Sequence, residues 1–139
     1  MAALTITAAN VAWVSGPKLT DQVAGEAFAA GALVYLAANG TWLKAQGDGT
    51  AIEAGSENLG IALATADAAG ARVSIATEGA IVSVGTGTAG IVYYVGDTAG
   101  GFHPVADLGS TDKVTVAALG IGSNKLKIAR IYDAGAVLA

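Results

Sequence analysis

The amino-acid sequence predicts an all-β fold: a compact β-barrel or β-sandwich-like domain of two pseudo-symmetric strand repeats, with an extended N-terminal arm and at most one short helix. Residues 30–36 (AGALVYL) recur as residues 89–95 (AGIVYYV), and the Leu-Gly-Ile at 59–61 recurs in the same order at 119–121. Twenty glycines lie between β-branched runs, which is typical of short strands joined by tight turns. Two copies are too few for a solenoid, so we expect a closed or sandwiched structure with pseudo-two-fold symmetry.

Residues 1–23 are interpreted as the N-terminal arm, and residues 24–139 as a single β domain with internal repeats at about 25–79 and 86–132. The arm alternates as Leu-Thr-Ile-Thr near its start, which favours extended chain, and a Gly-Pro pair interrupts it. The strand with which this arm pairs is left open.

The first repeat is predicted to open with a β-hairpin. Residues 33–36 form a short apolar run, Asn39-Gly40 is the pair favoured in type I′ turns, and residues 41–45 return as the partner strand. Further strands are predicted at 59–64, at 72–76 with Val73 and Ile75 on one face, and at 80–84 as a link between the repeats. The second repeat follows the same plan with strands at 91–95, 114–121 and 125–129, and with Phe102 in the place of Trp42.

Composition excludes most common chemistries. The chain has 139 residues, no cysteine and a single histidine. Disulfides, thiolate metal sites, zinc clusters and Ser-His or Cys-His nucleophiles are therefore excluded. We expect no enzymatic activity, no metal and no cofactor.

Charge and hydropathy limit the possible partners. The net charge is −4 with only seven Lys and Arg residues, and no basic stripe with interleaved aromatics predicts nucleic-acid binding. The longest apolar stretch, residues 27–38, is shorter than the roughly 20 residues that span a membrane, and no secretory signal is visible. Charged residues make up 13% of the chain, so we expect neutral surface to be buried against copies of the chain or a large partner.

Three patterns resemble functional motifs, and each has a structural explanation. Residues 85–90 have the G-x-G-x-x-G spacing of dinucleotide-binding loops, but that motif requires a helix at its end and a strand is predicted there. His103, as the single histidine, is expected to be structural or on the surface. Loop carboxylates could serve a glycosidase or bind Ca²⁺, although a solubilising role is expected of them: Asp48, Glu53, Glu57, Asp97, Asp107 and Asp112.

Aromatic residues suggest contact surfaces. Tyr93 and Tyr94 are adjacent, so in a strand they point to opposite faces and at most one lies in the core. Either is a candidate interface residue. Rings could also stack on sugars, from a set comprising Trp13, Tyr35, Trp42, Tyr93, Tyr94 and Tyr132, but in alternating strands aromatics usually serve the core or a subunit interface.

With these motifs in view, the chain resembles the small head-decoration, or capsid cement, proteins of tailed bacteriophages. The resemblance covers about residues 24–132 and is carried by the segments at 24–27, 31–36, 59–62, 77–80, 90–95 and 119–121. It implies a virion structural protein that is made in the host cytoplasm and binds the outer surface of the assembled capsid. Its implied partners are the major capsid protein and itself, as a homotrimer.

In that role we expect the arm to contact the capsid or a neighbouring subunit, through Leu4, Ile6, Val11 and Trp13 and with strand addition as one route. An alternative function is a phage tail, fibre or cell-surface adhesion module that binds a glycan or protein receptor. A hydrolase is the least favoured class, since Asp48 and Asp107 would have to converge in one cleft.

Overall fold

The computed structural model describes residues 4–86, 89–108, 113–122 and 124–137, and over these residues the chain is nearly all β. The strands, in chain order, are β1 Ala12–Ser15, β2 Lys18–Val23, β3 Leu33–Leu36, β4 Trp42–Lys44, β5 Gly60–Ala62, β6 Arg72–Thr77, β7 Ile81–Ser83, β8 Val92–Val95, β9 Phe102–His103, β10 Lys113–Gly120 and β11 Lys125–Val137. Two 3₁₀ turns, Ala8–Asn10 and Val105–Asp107, are the helical elements of the described chain. The predicted all-β class is confirmed.

The strands form two antiparallel sheets that pack on each other. The five-stranded sheet has the order β2-β6-β5-β3-β4, and the six-stranded sheet has the order β1-β7-β11-β10-β8-β9. Each sheet ends in edge strands, so no closed barrel forms. Of the two predicted architectures, the sandwich-like one is present.

Each sequence repeat builds one sheet. Strands β3 to β6 occupy the same order in the first sheet as β8 to β11 in the second, and β2 takes the place of β7. Backbone hydrogen bonds match in detail: Thr77 N–H donates to the Pro17 carbonyl, as Ile128 N–H donates to that of Ala80. The duplication therefore extends beyond the predicted repeat boundaries, because a strand of the predicted arm and the predicted linking strand are equivalent.

The β3–β4 hairpin pairs as predicted, with Leu36 opposite Trp42, but its predicted turn type is wrong. Gly40 N–H donates to the Ala37 carbonyl over 2.9 Å, and Gly40 has a φ of 87° whereas Asn39 does not have a positive φ. This is the three-residue loop in which a type I turn is followed by a left-handed glycine. The Asn39 carboxamide oxygen accepts hydrogen bonds from the following threonine, which fixes this arrangement.

The main core lies between the two sheets. It includes Leu33, Tyr35 and Ile61 from the five-stranded sheet, and Val82, Tyr93, Val95, Phe102, Leu126 and Ile128 from the six-stranded sheet. At about 25 cal/mol per Å² of buried apolar surface, such side chains stabilise the fold by roughly 1.5–3 kcal/mol each.

A second apolar cluster covers the other face of the five-stranded sheet. Val73 and Ile75 lie on this one face, as predicted, together with Val34 and Trp42. The cover consists of the chain's own connections, which contribute Ala24, Phe28 and Ala66. Phe28 and Ala66 exchange backbone hydrogen bonds of 3.0 and 2.8 Å that hold the two connections together. The five-stranded sheet is therefore buried on both faces.

The two sheets stack face to back. Ile75 pairs with Ala62 as Leu126 pairs with Gly120, so Ile75 and Leu126 occupy equivalent positions in the two sheets. Ile75 nevertheless points into the second apolar cluster, whereas Leu126 points into the main core. A pseudo-two-fold axis would place equivalent faces against each other. The predicted pseudo-two-fold symmetry is therefore wrong. The physical reason is that the first repeat is apolar on both faces, so it can pack the second repeat on one face and its own connections on the other.

Gly31 and Gly90 provide a matched test of this duplication. Both have left-handed backbones, with φ of 92° and 85°, and both N–H groups donate to the neighbouring strand. A Cβ at Gly31 would meet Ile6 Cγ2 at 2.6 Å, whereas one at Gly90 would meet no heavy atom of the described chain within 4 Å.

We expect Gly31→Ala to lower the free energy of unfolding by roughly 2–5 kcal/mol, from backbone strain and overpacking together. Gly90→Ala should cost roughly 1–2 kcal/mol, from backbone strain without the clash. Chemical denaturation measures both. Equal losses would show that the N-terminal segment does not pack over Gly31.

Candidate interaction surface

Strand β1 forms an exposed edge of the six-stranded sheet. All four of its residues, Ala12–Ser15, are exposed, and the strand pairs with β7 along one side. Its other side pairs with no backbone of the described chain. Its sequence, Ala-Trp-Val-Ser, carries no charge. An unpaired, neutral edge of this kind can accept a further strand.

Trp13 and Val14 are the large apolar side chains of this edge, and they are 40% and 43% exposed. The Trp13 indole N–H donates to the Gly16 carbonyl over 3.2 Å. The ammonium group of Lys18 lies 4.2 Å from the centre of the Trp13 ring, in a cation–π contact. These contacts orient the ring while leaving its surface accessible.

The other edge strands of the two sheets, β2, β4 and β9, are protected. Strand β2 carries Lys18 and Asp21, and Asp21 has a left-handed φ of 57° at an irregularity in the pairing. Along β4, the Gly25 N–H donates to one backbone carbonyl over 2.8 Å and the Glu26 carboxylate accepts from one backbone N–H over 2.9 Å. Along β9, the Leu4 N–H donates to a backbone carbonyl over 2.8 Å. Charges, a bulge and local pairing are the usual ways in which proteins block edges.

Three of the predicted contact residues pack inward. Leu4, Ile6 and Val11 are half-buried against the main core, and Ile6 and Val11 lie over Gly31. The Thr5 carbonyl, between two of them, accepts a 2.7 Å hydrogen bond from the Thr86 hydroxyl. Residues 4–11 thus close one end of the sandwich, and of the four predicted arm contacts the structure places Trp13 at the exposed edge.

The two predicted tyrosine candidates lie on opposite faces of β8. Tyr93 is buried in the main core, whereas Tyr94 is half-buried on the outer face of the six-stranded sheet, opposite Val116 and His103. The same outer face carries Leu119 and Ile131, which are 37% and 64% exposed. Sequence reasoning missed both residues. Alternation along β11, where Leu126 and Ile128 point inward, was a signal for Ile131, whereas an irregularity between Val116 and Ala118 breaks the alternation of β10 before Leu119.

The remaining aromatic candidates are mostly internal. Tyr35 and Trp42 are buried, and Tyr132 is half-buried. Burial, and after it the carboxylates of Glu53 and Glu26, raise the pKa of the Tyr35 hydroxyl. Of the described rings in the predicted sugar-binding set, Trp13 is the exposed one, so these rings do not form a continuous platform.

The motif-like patterns have structural roles where the chain is described. Within the G-x-G-x-x-G segment, Gly87 lies outside the described residues, and the strand predicted after the segment is present as β8.

The Glu53 carboxylate accepts hydrogen bonds from the hydroxyl and N–H of Thr50 and so closes a turn. Asp112 lies outside the described residues. Within the described residues, no three His, Asp or Glu side chains are grouped so that they could hold a metal ion.

His103 is a buried structural histidine, 3% exposed. Its Nδ1 lies 3.3 Å from Oδ2 of Asp107, at the end of the second 3₁₀ turn. Its ring packs on Gly96, where a Cβ would meet ring carbon Cδ2 at 2.3 Å. This pair fixes the 3₁₀ turn beside β9.

A crevice of the described chain lies between residues 4–6, the loop at 29–32 and the loop at 99–102. Its volume is about 240 Å³, below the roughly 300–1,000 Å³ of typical small-molecule sites. Lys44 is its charged lining residue, and that ammonium lies 4.0 Å from the Glu26 carboxylate. The crevice therefore offers no group of acid and base side chains for catalysis.

Comparisons with protein-family models, with curated proteins and with solved structures find no match. Within the described residues, no helix has the length and apolar character needed to cross a membrane.

We expect His103→Ala to lower the free energy of unfolding by about 2–4 kcal/mol, because it empties a buried site and removes the hydrogen bond to Asp107. Val105→Ala, in the adjacent 3₁₀ turn, changes an exposed side chain and should cost no more than about 0.5 kcal/mol. Urea denaturation compares the two variants. Similar small effects would contradict a structural role for His103.

Proposed function

We propose that this protein is a structural component of a tailed-phage virion that binds the outer surface of the assembled capsid and stabilises the shell. The observation that carries the proposal is the exposed, neutral edge of β1 with Trp13 and Val14, in a chain whose other edge strands, β2, β4 and β9, are protected. Such an edge supports binding to another protein by backbone pairing, with apolar side chains adding contact area. The resemblance stated above supplies the partner, the major capsid protein.

The stabilising mechanism is additive. A ligand that binds the assembled shell but not free capsid subunits stabilises the assembled state by mass action. Each contact can be modest, because symmetry repeats it many times over one shell. A homotrimer, implied by the resemblance, would multiply the contacts further and stays a prediction.

The alternative function, an adhesion module for a glycan or protein receptor, draws support from Trp13, since an exposed indole can stack on a sugar ring. Glycan-array binding that Trp13→Ala abolishes would favour this alternative over capsid binding.

The proposal predicts that the purified protein, mixed with undecorated shells of its own phage, gives density at regular lattice points in electron micrographs. Val14→Lys should weaken this binding by about tenfold or more, because a charge on an edge strand opposes strand addition. Thr20→Lys adds the same charge at an exposed position of the protected edge strand β2 and serves as the control.

Point variants are better suited to this test than deletion of residues 1–16, since deletion would also remove core contacts of Leu4, Ile6 and Val11. Bare shells beside free wild-type protein would refute the proposed function. Equal binding by Val14→Lys and wild type would keep capsid binding and reject the β1 edge as its contact.

A further inference from the structure

The outer face of the six-stranded sheet is equivalent to a face that already binds a sheet within this molecule. In the five-stranded sheet, a row of paired residues crosses four strands, namely Leu33, Ile61, Ala76 and Lys18, and its first three members belong to the main core. The equivalent row in the six-stranded sheet is Val92, Leu119, Lys127 and Ile81. This outer row packs against no described strand.

The outer row is largely apolar. Leu119 is exposed, and Val92 and Ile81 are half-buried, so three of the four side chains present hydrocarbon to solvent. The pairing of Ser15 with Ile81 continues the row onto β1. The row therefore runs directly to the exposed edge described above, and the two form one continuous surface.

Lys127 sets the chemistry of an occupant. It stands where the first repeat has Ala76, and it is exposed in the middle of the row. Lys125, on the same face and opposite Ser83, is also exposed. No described carboxylate occupies a position in the row. An apolar surface laid over it would bury an ammonium group, which is costly unless the occupant supplies a negative partner.

A second copy of the chain does not fit this requirement. If a second copy stacked as the two sheets do within one molecule, the outer row would pack against the other face of that copy's five-stranded sheet. That face is already covered by Phe28 and Ala66, so it cannot stack on the outer row. Two outer rows that face each other in the same direction would oppose Lys127 to Lys127, and two rows in opposite directions would place Lys127 against an apolar side chain, so neither arrangement supplies a carboxylate. We infer that this row docks a different protein, one that presents an apolar surface with a carboxylate opposite Lys127; under the proposed function, on which the inference rests, that protein is the major capsid protein.

The test measures co-sedimentation of the full-length protein with undecorated shells across a range of salt concentrations. Lys127→Glu is expected to weaken binding by about tenfold or more, and Lys127→Arg to retain it within about threefold. Leu119→Ser is expected to weaken binding without changing its salt dependence. Added salt should weaken the wild type and affect Lys127→Ala much less, because screening acts on the charge pair.

Matched controls separate the row from general effects. Arg72→Glu makes the same charge change on the five-stranded sheet, where Arg72 pairs with Asp21 on the surface, and Leu19→Ser removes a similarly exposed leucine there. Both should bind shells like the wild type. Chemical denaturation checks that every variant is folded.

The outcomes are distinguishable. Wild-type binding that Lys127→Glu leaves unchanged would overturn the docking row while the proposed function stands. Failure of the wild type to bind shells would overturn the proposed function and this inference with it. A dimer in sedimentation equilibrium that Lys127→Glu disrupts would identify a second copy as the occupant and overturn the inference of a different protein.

Discussion

The structure depends on one constraint: the five-stranded sheet is apolar on both faces and must be covered twice. Its strand β3, which lies between β5 and β4 and has the sequence Leu-Val-Tyr-Leu, sends Leu33 and Tyr35 into the main core and Val34 into the second cluster. Continuous apolar strands of this kind are stable only between two covers. The six-stranded sheet supplies one cover and the chain's own connections supply the other, so the placement of every other element follows from this sheet.

The differences between the two repeats follow from the same constraint. The connection between β5 and β6, residues 63–71, contains Ala66, which helps to cover the second cluster. Its equivalent between β10 and β11 spans only residues 121–124, because the six-stranded sheet has its inner face covered by the other sheet. Among the described residues, no connection between strands covers the outer row of that sheet. Lys127 occupies the position equivalent to Ala76, and its charged side chain allows this face to be exposed to solvent.

The sequence predicted the positions of the strands better than it predicted the sheet face to which each side chain points. Short β-branched runs between glycines marked β3 to β8 well, because turn chemistry is local. Alternation could not assign Leu33 and Val34 to faces, since both faces are apolar. Strand β2 was hidden in the predicted arm because the left-handed Asp21 interrupts its period between Leu19 and Gln22. For the candidate site, Leu4, Ile6, Val11 and Trp13 were all predicted as contact residues, and Trp13 is the exposed one of the four. Apolar arm residues that pack on their own core have the same sequence pattern as residues that contact a partner.

The edge of β1 and the outer row belong to one sheet, and this limits how a partner can bind. Ala12 and Ser15 pair with Ser83 and Ile81 of β7, which in turn pair with Lys125 and Lys127. A strand added along β1 would therefore extend the same outer face and bring its own side chains alongside this row. Backbone pairing gives such a contact its register but little sequence selectivity. The lysines would supply the selectivity. A carboxylate at the matching position would form an ion pair with them, whereas an uncharged or basic surface would leave their charge buried without a partner.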